Sequence, residues 1–110
     1  MINISERILN KKVAGIYNNF FEQTLIISFE DDCILKLGGC AIVFDLGMIG
    51  HIISFVSDSG TLGMVLELKR MKLDPDEYNY LLISRDIKDY ENKNEIVISY
   101  KSLEFKSNIC

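Results

Sequence analysis

Apolar and polar positions alternate most clearly over residues 24–37. Leu25, Ile27 and Phe29 alternate with Thr24, Ile26 and Ser28; after Glu30-Asp31-Asp32, Cys33, Leu35 and Leu37 repeat the period of two. That period places each set on one face of a strand. Three consecutive acids are costly to bury, so the chain is expected to reverse there in water. The pattern predicts a hairpin over 24–29 and 33–37 with an acidic turn, ended by Gly38-Gly39.

The rest of the chain reads in the same way. Ser5 to Leu9 fits one helical turn with Ser5 as its N-cap. Residues 11–17 form the first expected strand, broken at Asn18-Asn19; Phe20 and Phe21 suit either a bulged loop or the next strand. Further strands are expected at 41–45 and 51–56, the latter apolar enough to be covered on both faces. Ser57-Asp58-Ser59-Gly60 reads as a hairpin turn returning into a strand at 62–68, with Leu62, Met64, Leu66 and Leu68 on one face.

Asp74-Pro75-Asp76-Glu77 has the marks of a helix start, yet Tyr78, Tyr80 and Leu82 alternate; a turn feeding a strand at 78–84 is the preferred reading. Residues 86–94 read as a charged loop. Glu95 to Tyr100 reads as the final strand, with Ile96, Ile98 and Tyr100 facing one way and Leu103 and Phe105 docking the tail. About seven to eight strands imply a mainly β protein: an antiparallel sandwich, a partial barrel or a strongly bent sheet, with a short N-terminal helical turn.

Length and composition fit this picture. The chain of 110 residues, 48% hydrophobic and 25% charged, is expected to be a single domain with an ordinary core. The apolar stretch 41–56 falls short of the about 20 residues of a spanning helix, and it contains Asp45 and His51. No membrane association is expected. The net charge of −4 is spread along the chain, and the densest basic run, Lys69-Arg70-Met71-Lys72, is followed at once by acids. Nucleic acid is therefore disfavoured as a partner, and a basic protein surface is favoured. Cys33, Cys40 and Cys110 are odd in number and have no CxxC spacing. Together with an N-terminus that turns polar early, they suggest free thiols in a reducing cytoplasm.

Candidate chemistry is sparse. His51 is the lone histidine, and Asp45 and Ser54 do not stand at a recognised triad spacing from it; a hydrogen-bonded histidine at a strand end is the simpler reading. The cysteines and His51 lack zinc spacing, and Asp31-Asp32 lack an EF-hand loop. Neither catalytic residues nor a cofactor nor a metal is expected. Three acidic loops remain as candidate partner contacts: Glu30, Asp31 and Asp32; Asp74, Asp76, Glu77 and Tyr78; Asp86, Asp89, Tyr90 and Glu91. Tyrosine beside carboxylates can anchor a basic partner, although a solvated turn is the preferred reading of any one loop.

Three phrases resemble those of small bacterial immunity proteins of the contact-dependent or polymorphic-toxin type. They are the Leu-Asn-Lys-Lys-Val opening at 9–13, the Thr-Leu-Ile-Ile-Ser-Phe-Glu-Asp-Asp hairpin at 24–32, and Ile-Val-Ile-Ser-Tyr-Lys-Ser-Leu-Glu-Phe at 96–105. The resemblance implies a non-enzymatic protein that neutralises a cognate toxin, a nuclease by expectation, by occluding it. It carries over no binding residue. Two other readings stay open: a β-barrel ligand binder or enzyme using His51 and Asp45, and a self-assembling module using strand edges or Phe20-Phe21.

Overall fold

The computed structural model describes residues 4–85 and 94–107. The chain order is α1 (Ile4–Ile8), β1 (Val13–Asn19), β2 (Thr24–Phe29), β3 (Ile34–Gly38), β4 (Ile42–Asp45), β5 (Phe55–Ser57), α2 (Leu62–Arg70), a 3-10 turn (Pro75–Glu77), β6 (Asn79–Ser84), β7 (Glu95–Tyr100) and β8 (Ser102–Lys106). The strands form two antiparallel four-stranded sheets, ordered β1-β2-β3-β8 and β4-β7-β6-β5. Their inner faces share one core. Leu25, Ile27, Leu35 and Leu37 of the first sheet pack with Leu81, Ile83, Ile96 and Ile98 of the second, all fully buried. This is the sandwich form of the expected mainly β fold, with the short N-terminal helix in place.

The hairpin at 24–37 follows its pattern. Leu25 pairs with Leu37 and Ile27 with Leu35, so the apolar set of each strand meets across the ladder. Leu25, Ile27, Phe29, Cys33, Leu35 and Leu37 are buried and Glu30 to Asp32 are exposed.

The two sheets join at a corner. The chain leaves the first sheet at Gly39 and returns to it at Lys101, and the Lys101 amide donates to the Gly38 carbonyl at 2.9 Å. Gly39 has φ +63, and a Cβ there would lie 2.8 Å from that of Lys101. Both the backbone conformation and the space therefore require glycine. At the same corner Ser99 is fully buried, and its hydroxyl accepts from the Ile42 amide at 2.9 Å.

Several expectations are corrected. Residues 62–68 do not return as a strand but lie in α2. The alternation of Leu62, Met64, Leu66 and Leu68 was coincidental: Met64 and Leu68, one helical turn apart, are buried, whereas Leu62 and Leu66 are exposed. Leu, Met, Glu, Lys and Arg favour helix, and the Thr61 hydroxyl caps the start by accepting from the Met64 amide at 3.2 Å. The Ser57–Gly60 turn thus feeds a helix, and β5 pairs with β6 instead.

The segment 51–56 is mostly irregular. Only Phe55–Ser57 is strand, with a single bridge from Ile52 to Lys12, and Ile52 and Phe55 are exposed rather than covered. Ser5 lies inside α1 rather than capping it. Strand β1 runs through Asn18 and Asn19 instead of breaking there. The tail at 102–106 is a full strand: Leu103 pairs with Leu37 and Phe105 with Leu35. By contrast, Asp74–Glu77 does form a turn feeding a strand, with Asp74 as cap and Pro75 in first position.

Thr61→Ala removes the α2 cap and is expected to cost about 1 kcal/mol. A urea midpoint lowered without a change in slope is the signature to look for.

Candidate functional site

The acidic groups fall at opposite ends of the sandwich. The Glu30–Asp32 tip follows the end of β2, whereas the turn at its start faces the Asp74–Tyr78 segment through Gln23. A six-residue strand places them roughly 20 Å apart, so the structure does not merge these two loops into one surface. Asp86, Asp89, Tyr90 and Glu91 lie outside the described residues.

The hairpin tip is engaged within its own chain. The Asp31 carboxylate accepts from the Lys11 ammonium and, through its other oxygen, from the Cys33 amide at 3.2 Å. Lys12 lies 3.4 Å from Glu30. Asp32 adopts φ 67, which lets its amide donate to the Phe29 carbonyl at 3.1 Å and close the turn. Two of the three acids therefore already face lysines.

The Lys11 hydrogen bond holds the Asp31 carboxyl below its ordinary pKa. A depressed acid contributes stability above its unfolded value, and that contribution is lost as pH falls through the folded one. Asp31→Asn keeps the acceptor for Cys33 and removes the charge. It is expected to flatten the acid limb of a stability-against-pH curve measured by urea unfolding.

At the other end, a groove of about 230 Å³ with a mixed polar and apolar lining opens between the sheets. Phe20, Cys40, Val43, Met71, Leu73 and Tyr78 line it, with Asn18 at its lip. Each arrives there for a local reason. Asn19 ends β1, and its side-chain oxygen accepts from the amides of Phe21 (3.1 Å) and Glu22 (3.2 Å), so the 20–23 turn is held by its own sequence. Gln23 leaves that turn at φ 55, and its carbonyl accepts from the Cys40 amide at 2.9 Å, tying the turn to the start of the second sheet. Lys72 at φ 62 reverses the chain after α2, and the Leu73 amide then donates to the Leu68 carbonyl at 2.9 Å.

The 3-10 turn forms an acidic rim beside this groove. The Asp74 side chain accepts from the Asp76 amide at 3.0 Å, while Asp76 and Glu77 are exposed. Lys101 lies 5.1 Å over the Tyr78 ring and 3.9 Å from Glu77, fastening the rim to the sheet corner. The Tyr80 hydroxyl donates to the Pro75 carbonyl at 2.8 Å. Partial burial and the neighbouring Asp76 and Asp74 raise the Tyr80 pKa. Tyr78 thus lines a groove beside the acidic turn, which the sequence did not reveal.

Sequence reasoning left the most exposed feature of this end ambiguous. Phe20 is 81% exposed and Phe21 fully so, at the tip of the ordered turn. The available signal was a pair of aromatics framed by Asn18-Asn19 and Glu22-Gln23: a polar frame marks a turn, and two rings on a turn have no core to enter.

Cys33 and Cys40 are free thiols. Burial pushes the Cys40 thiol up to about 11, which keeps it neutral and weakly nucleophilic. Iodoacetamide is expected to label Cys40 far more slowly in the folded protein than in urea, as peptide mass spectrometry would show. His51 lines neither this groove nor the open depression between Lys11 and Glu30. Among the described residues no group of three or more His, Cys, Asp or Glu is placed to hold a metal, and no helix is long and apolar enough to cross a membrane.

Comparison with protein-family models, with curated proteins and with solved structures gives no match for this chain.

Proposed function

We propose that this protein is a non-enzymatic binding module that occludes a protein partner with the groove end of its sandwich. The observation that carries the reading is the exposed Phe20-Phe21 turn standing beside a groove with an acidic rim. Burying an aromatic side chain is worth about 1.5–3 kcal/mol. A turn already ordered by Asn19 would lose little further freedom on binding. Aromatic anchors surrounded by polar groups are the usual energetic centre of an interface.

The acids at 74–77 favour a partner with basic groups around an apolar contact, since opposite charge speeds and orients encounter. Such a partner fits the resemblance to immunity proteins: a bacterial toxin domain, a nuclease in this reading, held inactive in the cytoplasm by a stoichiometric complex. Co-expression with a toxin encoded beside this protein is the test. Restored growth and a one-to-one complex are expected; neither rescue nor complex would reject the reading.

A further inference from the structure

We infer that an extended segment of the partner adds as a further strand to the open edge of β1 and directs a lysine or arginine side chain into the groove. This rests on the occlusion proposed above and names the part of the partner that is held.

β1 is the outer strand of its sheet. The Phe29 amide donates to the Cys33 carbonyl at 3.0 Å, toward β3. Backbone groups alternate sides along an antiparallel strand, so those of Leu25 and Ile27 also face β3, and those of Thr24, Ile26 and Ser28 face β1. Their partners there are Asn19, Tyr17 and Gly15. The N–H and C=O groups of Ile16 and Asn18 therefore point away from the sheet, and among the described residues no strand pairs with them.

The chain itself pairs with the first part of this edge. The Val13 amide donates to the His51 carbonyl at 3.1 Å, and the Gly50 amide to the Val13 carbonyl at 2.8 Å. The chain turns at Gly50, where φ is 88, and leaves the edge beyond Val13 open. Charges, proline and short length usually blunt such an edge. β1 has none of these over its seven residues, whereas β4 ends in Asp45, β5 has three residues, and β8 carries Glu104 and Lys106.

A residue paired with Asn18 holds its side chain on the same face as that of Asn18. Asn18 lines the groove together with Val43, Met71, Leu73 and Tyr78. The mixed lining suits an apolar stem with a charged head, as in lysine and arginine. Asp74 and Asp76 are exposed on the adjoining turn, while Glu77 already faces Lys101. The rim thus favours a cationic head. In strand addition of this kind the main-chain bonds supply affinity and the alternate side chains specificity.

Amide hydrogen exchange followed by NMR tests this on the whole protein, free and saturated with the toxin domain encoded beside it. The Ile16 and Asn18 amides are expected to exchange rapidly in the free protein and to slow about tenfold or more in the complex. Those of Tyr17 and Asn19, bonded to β2, should be protected in both. Asn18→Pro removes an outward donor at an edge position that tolerates proline, and is expected to weaken binding about tenfold or more. If this variant melts below wild type, exchange in the wild-type complex decides alone. A complex in which Ile16 and Asn18 exchange as fast as in the free protein would overturn the inference and leave the occlusion standing. So would an Asn18→Pro protein that melts as wild type and binds with full affinity. Protection of the two amides that grows with concentration in the free protein would give the edge to a second copy and overturn it. No complex at all would reject the occlusion and the added strand together.

Discussion

A Phe20→Ser/Phe21→Ser protein is expected to fold as wild type does and to lose its hold on a protein partner. The two rings are exposed, so the folded state forfeits almost nothing when they go, and surface changes of this kind shift stability by no more than about 0.5 kcal/mol. Their value arises on binding. Two anchors at about 1.5–3 kcal/mol each correspond to a loss of affinity of roughly a hundredfold or more. An unchanged thermal midpoint beside lost growth protection in co-expression would separate this effect from misfolding. Equal protection by wild type and variant would remove the rings from the interface.

Ile98→Ala is expected to have the opposite profile. Ile98 is fully buried on β7, with Val43 of β4 on one side and Leu81 of β6 on the other. Truncation removes apolar contacts and leaves a cavity between two sheets that cannot fully close over it, at a cost of about 2–5 kcal/mol. A domain of this size has only about 5–15 kcal/mol in hand, so the urea midpoint should fall by a large fraction. Partner binding should survive in whatever fraction remains folded, because the Phe20-Phe21 turn belongs to the first sheet and Ile98 to the second. A midpoint within error of wild type would contradict the shared core of the two sheets.

The contrast between these variants reflects what was legible in the sequence. Periodicity reports burial on an element, so the 24–37 hairpin and β7 could be read from alternation alone, whereas the 79–84 strand also needed the strand preference of Tyr-Leu-Leu-Ile-Ser, and its fully buried face is Leu81 and Ile83 rather than Tyr80 and Leu82. It failed at 62–68, where an i, i+2 and an i, i+4 pattern share Met64 and Leu68; helix propensity and the Thr61 cap decided for the helix. It failed again at 51–56, where an apolar run suggested a covered strand. There Ile53 is buried while Ile52 and Phe55 are exposed, because the segment bridges β1 and then joins the edge of the second sheet. Loop residues that reach the core, such as Met48, carry no periodic signal at all.

The candidate interface was legible only in part. Tyr78 and the acids at 74–77 were singled out by composition, but the groove they border is assembled from β1, β4 and the segment after α2, which are distant in sequence. The acids at 30–32 looked equivalent to those at 74–77. Lys11 and Lys12, distant in sequence, already face two of them, a pairing visible only once β1 and β2 are in register.

Which end of the sandwich meets the partner is decided by calorimetric titration. Wild type, Phe20→Ser/Phe21→Ser and Asp31→Lys/Asp32→Lys would each be titrated with the toxin domain encoded beside this protein. The groove reading predicts one-to-one binding for wild type, loss of affinity of about a hundredfold or more for the phenylalanine variant, and near wild-type affinity for the hairpin-tip variant. Full affinity without the two rings, with binding abolished by charge reversal at the hairpin tip, would contradict it.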